Sequence, residues 1–541
     1  MVGRPGREQG SMSERVSAPA ATERRVAARW IAFGACVVAG LSNEISGGAL
    51  SLSMRQAAAD LAASTAAMQL VMTLSKLLFG AFILLGGVLG DTYGRRRILV
   101  SGCVGIVAAS ILAAVAASAG QLALARGLDG LANAAVGPLA LALVIGLFPA
   151  DEGSRAIGLF LGLSALGIAL GPLVAGVVIE AFGWRAGFLA PAAAGALGGL
   201  GVRLFAPEIR GDERRRVDGL GALVVAVALL ALVFAVIGAS AEGWGHPRVL
   251  QSLGVGAAAF VAFVWWERRV ADPLLDLTLF RSRALTAALV NGLLIALVVG
   301  GAILPLLYFF QNVQGQQPVP ALLRILPMVV AAAGSSPFVG GLIARRGSRA
   351  VILGGLFLIV AGCGVLAWLK PATPYGVVAA GLVLLGAGNI AVVTAVTEIV
   401  LGAVPAGQVG CAAALNNAAM QVGGALGSAT LTSVFLEAAR AEYAMRLQPT
   451  GLAVEKLREI TRAWRQAVGE SASTGARVLP EGMEQLFEDA FREAFTVGTA
   501  RVFAAGAMVA LVCAVVVWFG LRTQRTASPG SAEMAAGKTR S

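Results

Sequence analysis

The chain has 541 residues and a formal net charge of +12, yet 57% of its residues are hydrophobic and only 13% are charged. A soluble domain normally carries about 25% charged residues, and a mean hydropathy of +0.80 excludes that class. The arginines fall in short clusters between apolar runs, as membrane proteins distribute basic charge, so no nucleic-acid partner is expected.

Residues 1–29 are polar and Arg-rich with no apolar core, and read as a disordered cytoplasmic tail. A bilayer core of about 30 Å takes roughly 20 apolar residues in helix. That ruler places a first set of spans near 30–52, 67–90, 97–118, 121–148, 156–180 and 186–206. A pair follows near 219–239 and 248–266, and six more near 284–312, 319–343, 350–369, 374–400, 409–435 and 497–520. The expected fold is an all-α polytopic membrane protein of about fourteen transmembrane helices. Residues 436–496 form the one long polar insertion, and 521–541 a second tail expected in the cytoplasm. Within the insertion, AVEKLREITRAWRQAV places apolar residues at helical spacing. It reads as an outer helical cap, and a mobile loop without function fits as well.

With the N-terminus inside, the short inner loops carry Arg95–Arg97, Arg155, Arg210, Arg214–Arg216, Arg268, Arg269, Arg281, Arg283, Arg345, Arg346 and Arg349, which is 15 basic residues. The short outer loops carry four: Arg55, Arg185, Arg248 and Lys370. Basic loops stay inside, so both termini are expected in the cytoplasm of a cell-membrane protein.

Cys36, Cys103, Cys363, Cys411 and Cys513 lie far apart within apolar stretches, and His246 is the only histidine. That pattern offers neither a metal site nor a disulfide framework. No phosphate-cradling loop occurs either, which argues against ATP drive. No cofactor is expected, and no cluster of nucleophile, base and orienting group points to an enzyme.

The chain echoes itself. GGVLGDTYGRRR (86–97) returns as GGLIARRGSR (340–349), aligning Gly94 with Gly347 at an offset of 253. A second echo at an offset of 256 aligns Gly130/Gly386, Asn133/Asn389, Pro149/Pro405, Gly167/Gly423 and Gly171/Gly427. Two independent segments at nearly equal offsets predict two duplicated six-helix halves, 30–206 and 284–520, with the pair at 219–266 inserted between them. Parallel halves suit alternating access, with substrate held where they meet.

Glu44, Lys76, Arg126 and Asp129 stand within the expected spans, where charge is expensive and marks function by default. Glu44 lies 14 residues in from Trp30, and Lys76 lies 14 residues from Gly90, so both sit roughly 21 Å deep at about 1.5 Å per residue. On consecutive antiparallel helices they are placed to meet, either as a fixed bridge or as a proton-sensitive pair facing a cavity. Arg126 and Asp129 are three apart, on one face of the fourth span. Asp129 is the expected proton acceptor there with Arg126 setting its affinity, against the plainer reading of a self-neutralising pair.

Gly87-x-Leu89-x-Asp91-x-x-Gly94-Arg95-Arg96, Arg126-x-x-x-Gly130, Gly167-x-x-x-Gly171-Pro172 with Gly176, ADPLLDLTLFRSRAL (271–285) and Leu304-Pro305…Gln311…Gly315…Pro318…Pro327 occur in that order. On these motifs the chain resembles the major facilitator superfamily, in particular its fourteen-helix drug:proton antiporter branch. The resemblance covers 30–435 well and the final span loosely. It implies a gating turn at Gly87, Asp91, Gly94, Arg95 and Arg96, with Asp91 bridging to basic groups across the halves. It also implies an antiporter helix at Gly167, Gly171, Pro172 and Gly176, although those glycines serve helix packing equally well. The sequence departs from the branch at Ser42, where an acid is usual, and at Lys76, Asp129 and Arg324.

The resulting expectation is a proton-coupled exporter of amphipathic or cationic organic compounds, working as a monomer in the lipid bilayer. Export of a self-made metabolite, lipid or antibiotic is the alternative, and nutrient import fits the span-five motif poorly. A non-transporting sensor or scaffold is the reading from another class.

Overall fold

A computed structural model describes residues 11–149, 152–210, 218–242, 245–270, 273, 275, 277–447 and 484–521, and every element among them is a helix. The N-terminal bundle comprises α1 (Ser11–Asp60), α2 (Thr65–Tyr93), α3 (Arg95–Ala114), α4 (Ala119–Leu147), α5 (Gly153–Phe182), α6 (Trp184–Gly187) and α7 (Leu189–Phe205). α8 (Gly219–Glu242) and α9 (Pro247–Glu267) form a hairpin. The C-terminal bundle comprises α10 (Arg283–Tyr308), α11 (Pro318–Leu323), α12 (Leu326–Arg346), α13 (Ser348–Ala367), α14 (Tyr375–Gly402), α15 (Val409–Leu447) and α16 (Glu484–Gly520).

Thirteen helical stretches among the described residues are long and apolar enough to cross a membrane; the fourteenth, in α8, has a shorter apolar run at Gly219–Ala235. Residues 11–29, expected to be an unstructured tail, instead continue α1. Residues 20–29 hold no glycine or proline, so nothing there interrupts helix propagation. At the other end, the insertion is shorter than expected, because α15 runs on to Leu447 and the last helix starts at Glu484. The stretch AVEKLREITRAWRQAV, Arg214–Arg216 and residues 522–541 lie outside the described residues.

Local chemistry sets the helix ends. Ser64, Ser118 and Ser282 accept hydrogen bonds from the N–H groups of Ala67, Gln121 and Leu285, each satisfying a donor that a helix start leaves free. Gly94 (φ +112°) and Gly347 (φ +78°) each form a one-residue joint between antiparallel helices, at a φ that side-chain-bearing residues rarely adopt.

The two bundles use the same set of helix pairings. α2 packs on α4 as α12 does on α14, α3 on α4 as α13 on α14, and α1 on α5 as α10 on α15. The contacts repeat in register: a Cβ on Gly171 would lie 2.7 Å from the carbonyl carbon of Glu44, and one on Gly427 would lie 2.6 Å from that of Leu297. Between the bundles, α2 meets α15 and α5 meets α12, while α8 packs on both α2 and α15.

Candidate functional site

A cavity of about 610 Å³ lies between the bundles, walled by α1, α2, α4, α5, α8, α10 and α15. Its polar lining includes Asn43, Glu44, Ser75, Lys76, Arg126 and Gln421; Phe79, Leu229 and Val233 supply apolar surface. A volume of this size accommodates a drug-sized molecule. A second, apolar cavity of about 470 Å³ lies beneath the α8–α9 hairpin and shares Leu229, Ala418 and Val422 with the first.

Glu44 and Lys76 both line the central cavity, but no ion pair within 4.0 Å joins them. The expected bridge is therefore open. The Glu44 carboxylate accepts a hydrogen bond from Asn43 Nδ2 at 3.0 Å, while Lys76 is exposed in the cavity. Polar space around two charges lowers the cost of each without a direct contact.

Asp129 sits in a different environment. It is buried and accepts from Ser46 Oγ (3.1 Å), Ser75 Oγ (3.2 Å), Arg126 Nη1 (3.0 Å) and Asn133 Nδ2 (3.1 Å). Arg126 also donates to Ser46 Oγ, and its Nε has no partner. Ser46 is on α1 and Ser75 on α2, so this cluster ties three helices together around one neutral pair. Asn133 was legible one turn beyond Asp129; Ser46 and Ser75 come from other helices, and spacing along one segment carries no trace of them.

The antiporter-motif glycines seat α5 against α1 beside Glu44. A Cβ on Gly167 would lie 2.5 Å from Leu41 Cδ2 and 3.1 Å from Glu44 Cγ, and one on Gly171 would lie 2.5 Å from the Glu44 carbonyl oxygen. Gly48 returns the contact, with a Cβ 2.5 Å from the nitrogen of Pro172, and Gly176 is looser, with a Cβ 3.3 Å from Leu52.

Below the cavity the bundles close. Asp91 accepts from Arg95 Nε at 2.9 Å and from the N–H groups of Gly410 (3.0 Å) and Cys411 (2.9 Å), the first turn of α15. The expected partner across the bundles was a basic side chain; it is instead a helix N-terminus, where unpaired N–H groups and the dipole favour an anion. Gly94 leaves room for Glu208, whose Oε1 would be 2.5 Å from a Cβ there and accepts from the N–H of Arg96 at 3.1 Å. Arg96 and Arg97 both ion-pair with Glu208, at 3.6 and 3.5 Å. The turn at Gly87–Arg96 thus makes contact through Asp91 and Arg95 with the start of α15, and through Gly94 and Arg96 with Glu208 just beyond α7. Ala418, where the central cavity begins on α15, is eight residues beyond Gly410, or about 12 Å along the helix.

A charged cavity between two like bundles, closed at one end and buried in membrane-crossing helices, defines a multi-pass membrane transporter. The family model described as Major Facilitator Superfamily matches residues 32–428. The chain belongs to that superfamily, whose members are transporters rather than enzymes. Among curated relatives, the Multidrug resistance protein Stp of Mycobacterium tuberculosis is 36% identical over 354 residues, which is 65% of this chain and 66% of that protein's own length. The Puromycin resistance protein pur8 of Streptomyces alboniger is 34% identical, covering 75% of this chain and 82% of that protein. The Tetracenomycin C resistance and export protein of Streptomyces glaucescens is 29% identical, covering 85% and 86%. Among solved structures, the human organic anion transporter MFSD10 matches with a TM-score of 0.56 at 15% identity, over 92% of this chain and 99% of that one. The proton:xylose symporter XylE matches with a TM-score of 0.55 at 13% identity, over 91% and 96%. At such identities these structures speak for the fold alone.

Proposed function

We propose that this chain is a proton-driven exporter of amphipathic organic compounds, moving them through the central cavity by rocking of two duplicated halves. The observation that carries the reading is a carboxylate, Glu44, lining a cavity that the Asp91 contacts close at one end. The fifteen-to-four bias of basic residues supports a cytoplasmic position for that closed end and both termini, and in this reading the conformation is outward-facing. Two adjoining cavities, one polar and charged and one apolar, fit a molecule with a polar or cationic head and an apolar body. Drug and antibiotic resistance proteins among the relatives support export.

Glu44 is the proton carrier in this reading. Deprotonated, it attracts a cationic head; protonated from outside, it releases it. Lys76 limits that attraction by repelling cations. Arg126 and Asp129 hold α4 to α1 and α2, and the α5 glycines fix the backbone that carries Glu44. The chain acts as a monomer. Export of a compound made by the host cell is a second reading, favoured by the Tetracenomycin C resistance and export protein among the relatives.

Purified protein in vesicles loaded with ethidium, a fluorescent amphipathic cation, tests the proposal. Wild type should drive ethidium flux under an imposed proton gradient. Glu44→Gln should keep gradient-independent exchange and lose the driven component. Equal driven flux in both proteins removes Glu44 from coupling.

A further inference from the structure

The Asp91 contact has a counterpart that no motif announces. We infer that Glu398, near the C-terminal end of α14, is the second latch holding the bundles together, acting on the first turn of α5. Ser154 Oγ donates to Glu398 Oε1 at 2.6 Å across the bundles, and Ser348 Oγ donates to Oε2 at 3.3 Å within the C-terminal one.

The assignment follows from the internal repeat. Ser154 and Arg155 open α5 where Gly410 and Cys411 open α15, 256 residues later. Both helix starts are pressed against a glycine of the other bundle. A Cβ on Gly87 would lie 2.9 Å from the carbonyl carbon of Gly410, and one on Gly340, 253 residues after Gly87, would lie 2.5 Å from Arg155 Cα. Both helix starts also meet a carboxylate from the opposite bundle, and that carboxylate is itself held at its base. Arg95 donates to Asp91, and its equivalent Ser348 donates to Glu398.

What differs is the helix that carries the acid. The position equivalent to Asp91 is Ala344 on α12, and the position equivalent to Glu398 is Ala142 on α4. Each bundle thus keeps one latch carboxylate, on α2 in the first and on α14 in the second. Comparing the two loops alone suggests an unlatched second half; the contacts show its latch moved one helix over. Glu398 lines neither the polar nor the apolar cavity, so it is a positioning residue, acting on transport through α5. When the bundles part at this end, the 2.6 Å contact from Ser154 must break, so it favours the closed state.

Spin labels at Tyr93 and Arg346, exposed positions at the closed end on opposite bundles, report opening as a distance distribution in the purified full chain. Glu398→Ala should raise the ratio of long to short distances about tenfold, the scale of losing one hydrogen bond to a charged group. Ser154→Ala should do the same, and the double variant should do no more than either single one. Glu398→Gln keeps an acceptor oxygen and should fall between. Adding Asp91→Asn to Glu398→Ala should open the end further than either change alone. An unchanged distribution in Ser154→Ala or in folded Glu398→Ala overturns the inference, as do fully additive effects of those two. If Glu398→Ala does not fold, Ser154→Ala decides. The latch rests on the alternating-access reading for its role in transport. The distance measurement needs neither substrate nor proton gradient, so failure of the latch and failure of the export reading are told apart.

Discussion

Glu44 and Asp129 are both carboxylates within membrane-crossing helices, and their surroundings give them different work. Asp129 accepts four hydrogen bonds, one from an arginine, and is buried. Glu44 has one side-chain donor, Asn43, and faces the cavity. Both Asp129 oxygens are taken by side-chain donors, Oδ1 by Asn133 and Oδ2 by Ser46, Ser75 and Arg126, whereas only Oε1 of Glu44 has one. Asp129→Asn should therefore act on stability, because it leaves the Arg126 cation uncompensated at a cost of about 3–5 kcal/mol. A large drop in melting temperature in detergent, with unchanged pH dependence of flux in any surviving protein, is the expected result. At the cavity, Lys76→Met should raise the affinity for ethidium by removing a like charge, and Glu44→Gln with Lys76→Met should fold yet stay uncoupled. A third carboxylate stands at the far end of α1. Hydrogen bonds from Arg185 and then from Trp184 Nε1 hold the Asp60 carboxyl below the usual carboxylate range. The stabilisation it gives is present at neutral pH and lost as the pH falls through its folded-state value. Asp60→Asn should thus lower the melting temperature at pH 7, with the gap to wild type closing on acidification.

At the scale of elements, α1 and α5 form a close joint beside the central cavity. Gly48 on one helix and Gly167 and Gly171 on the other let the backbones touch, the small-residue packing that stands in for the hydrophobic effect inside lipid. Gly171→Leu should prevent the helices from meeting and abolish folded protein, while Gly176→Ala, whose Cβ would lie 3.3 Å from Leu52, should be tolerated; size-exclusion profiles of the two variants check this. Much of this level was legible. Apolar length located the spans, and the glycine echoes located the joints at Gly94 and Gly347. The glycines of α5 were readable as a motif, but not as a seat for Glu44, because sequence does not say which helix a face meets. The same blindness hid Glu398, a lone acid in an apolar helix whose partners lie 244 and 50 residues away. Helix ends were set too early at α1 and α15, where polar residues continue a helix that composition alone ends at the membrane.

The whole molecule is two bundles of like pairing that touch through α2–α15 and α5–α12 at one end and enclose the charged cavity beyond it. The hairpin α8–α9 adds an apolar cavity beside the polar one. Two carboxylates, each on a different bundle, hold the closed end through the first turns of α5 and α15. For such a body, coupling means that one cavity group binds either substrate or a proton. Proton release on ligand binding, followed with purified protein in weakly buffered detergent as ethidium is added, tests this directly. Wild type should release protons in proportion to bound ethidium, and Glu44→Gln should bind ethidium more weakly and release none. Release of equal size from Glu44→Gln, or ethidium binding to wild type with no release between pH 5 and 8, would contradict exchange at Glu44.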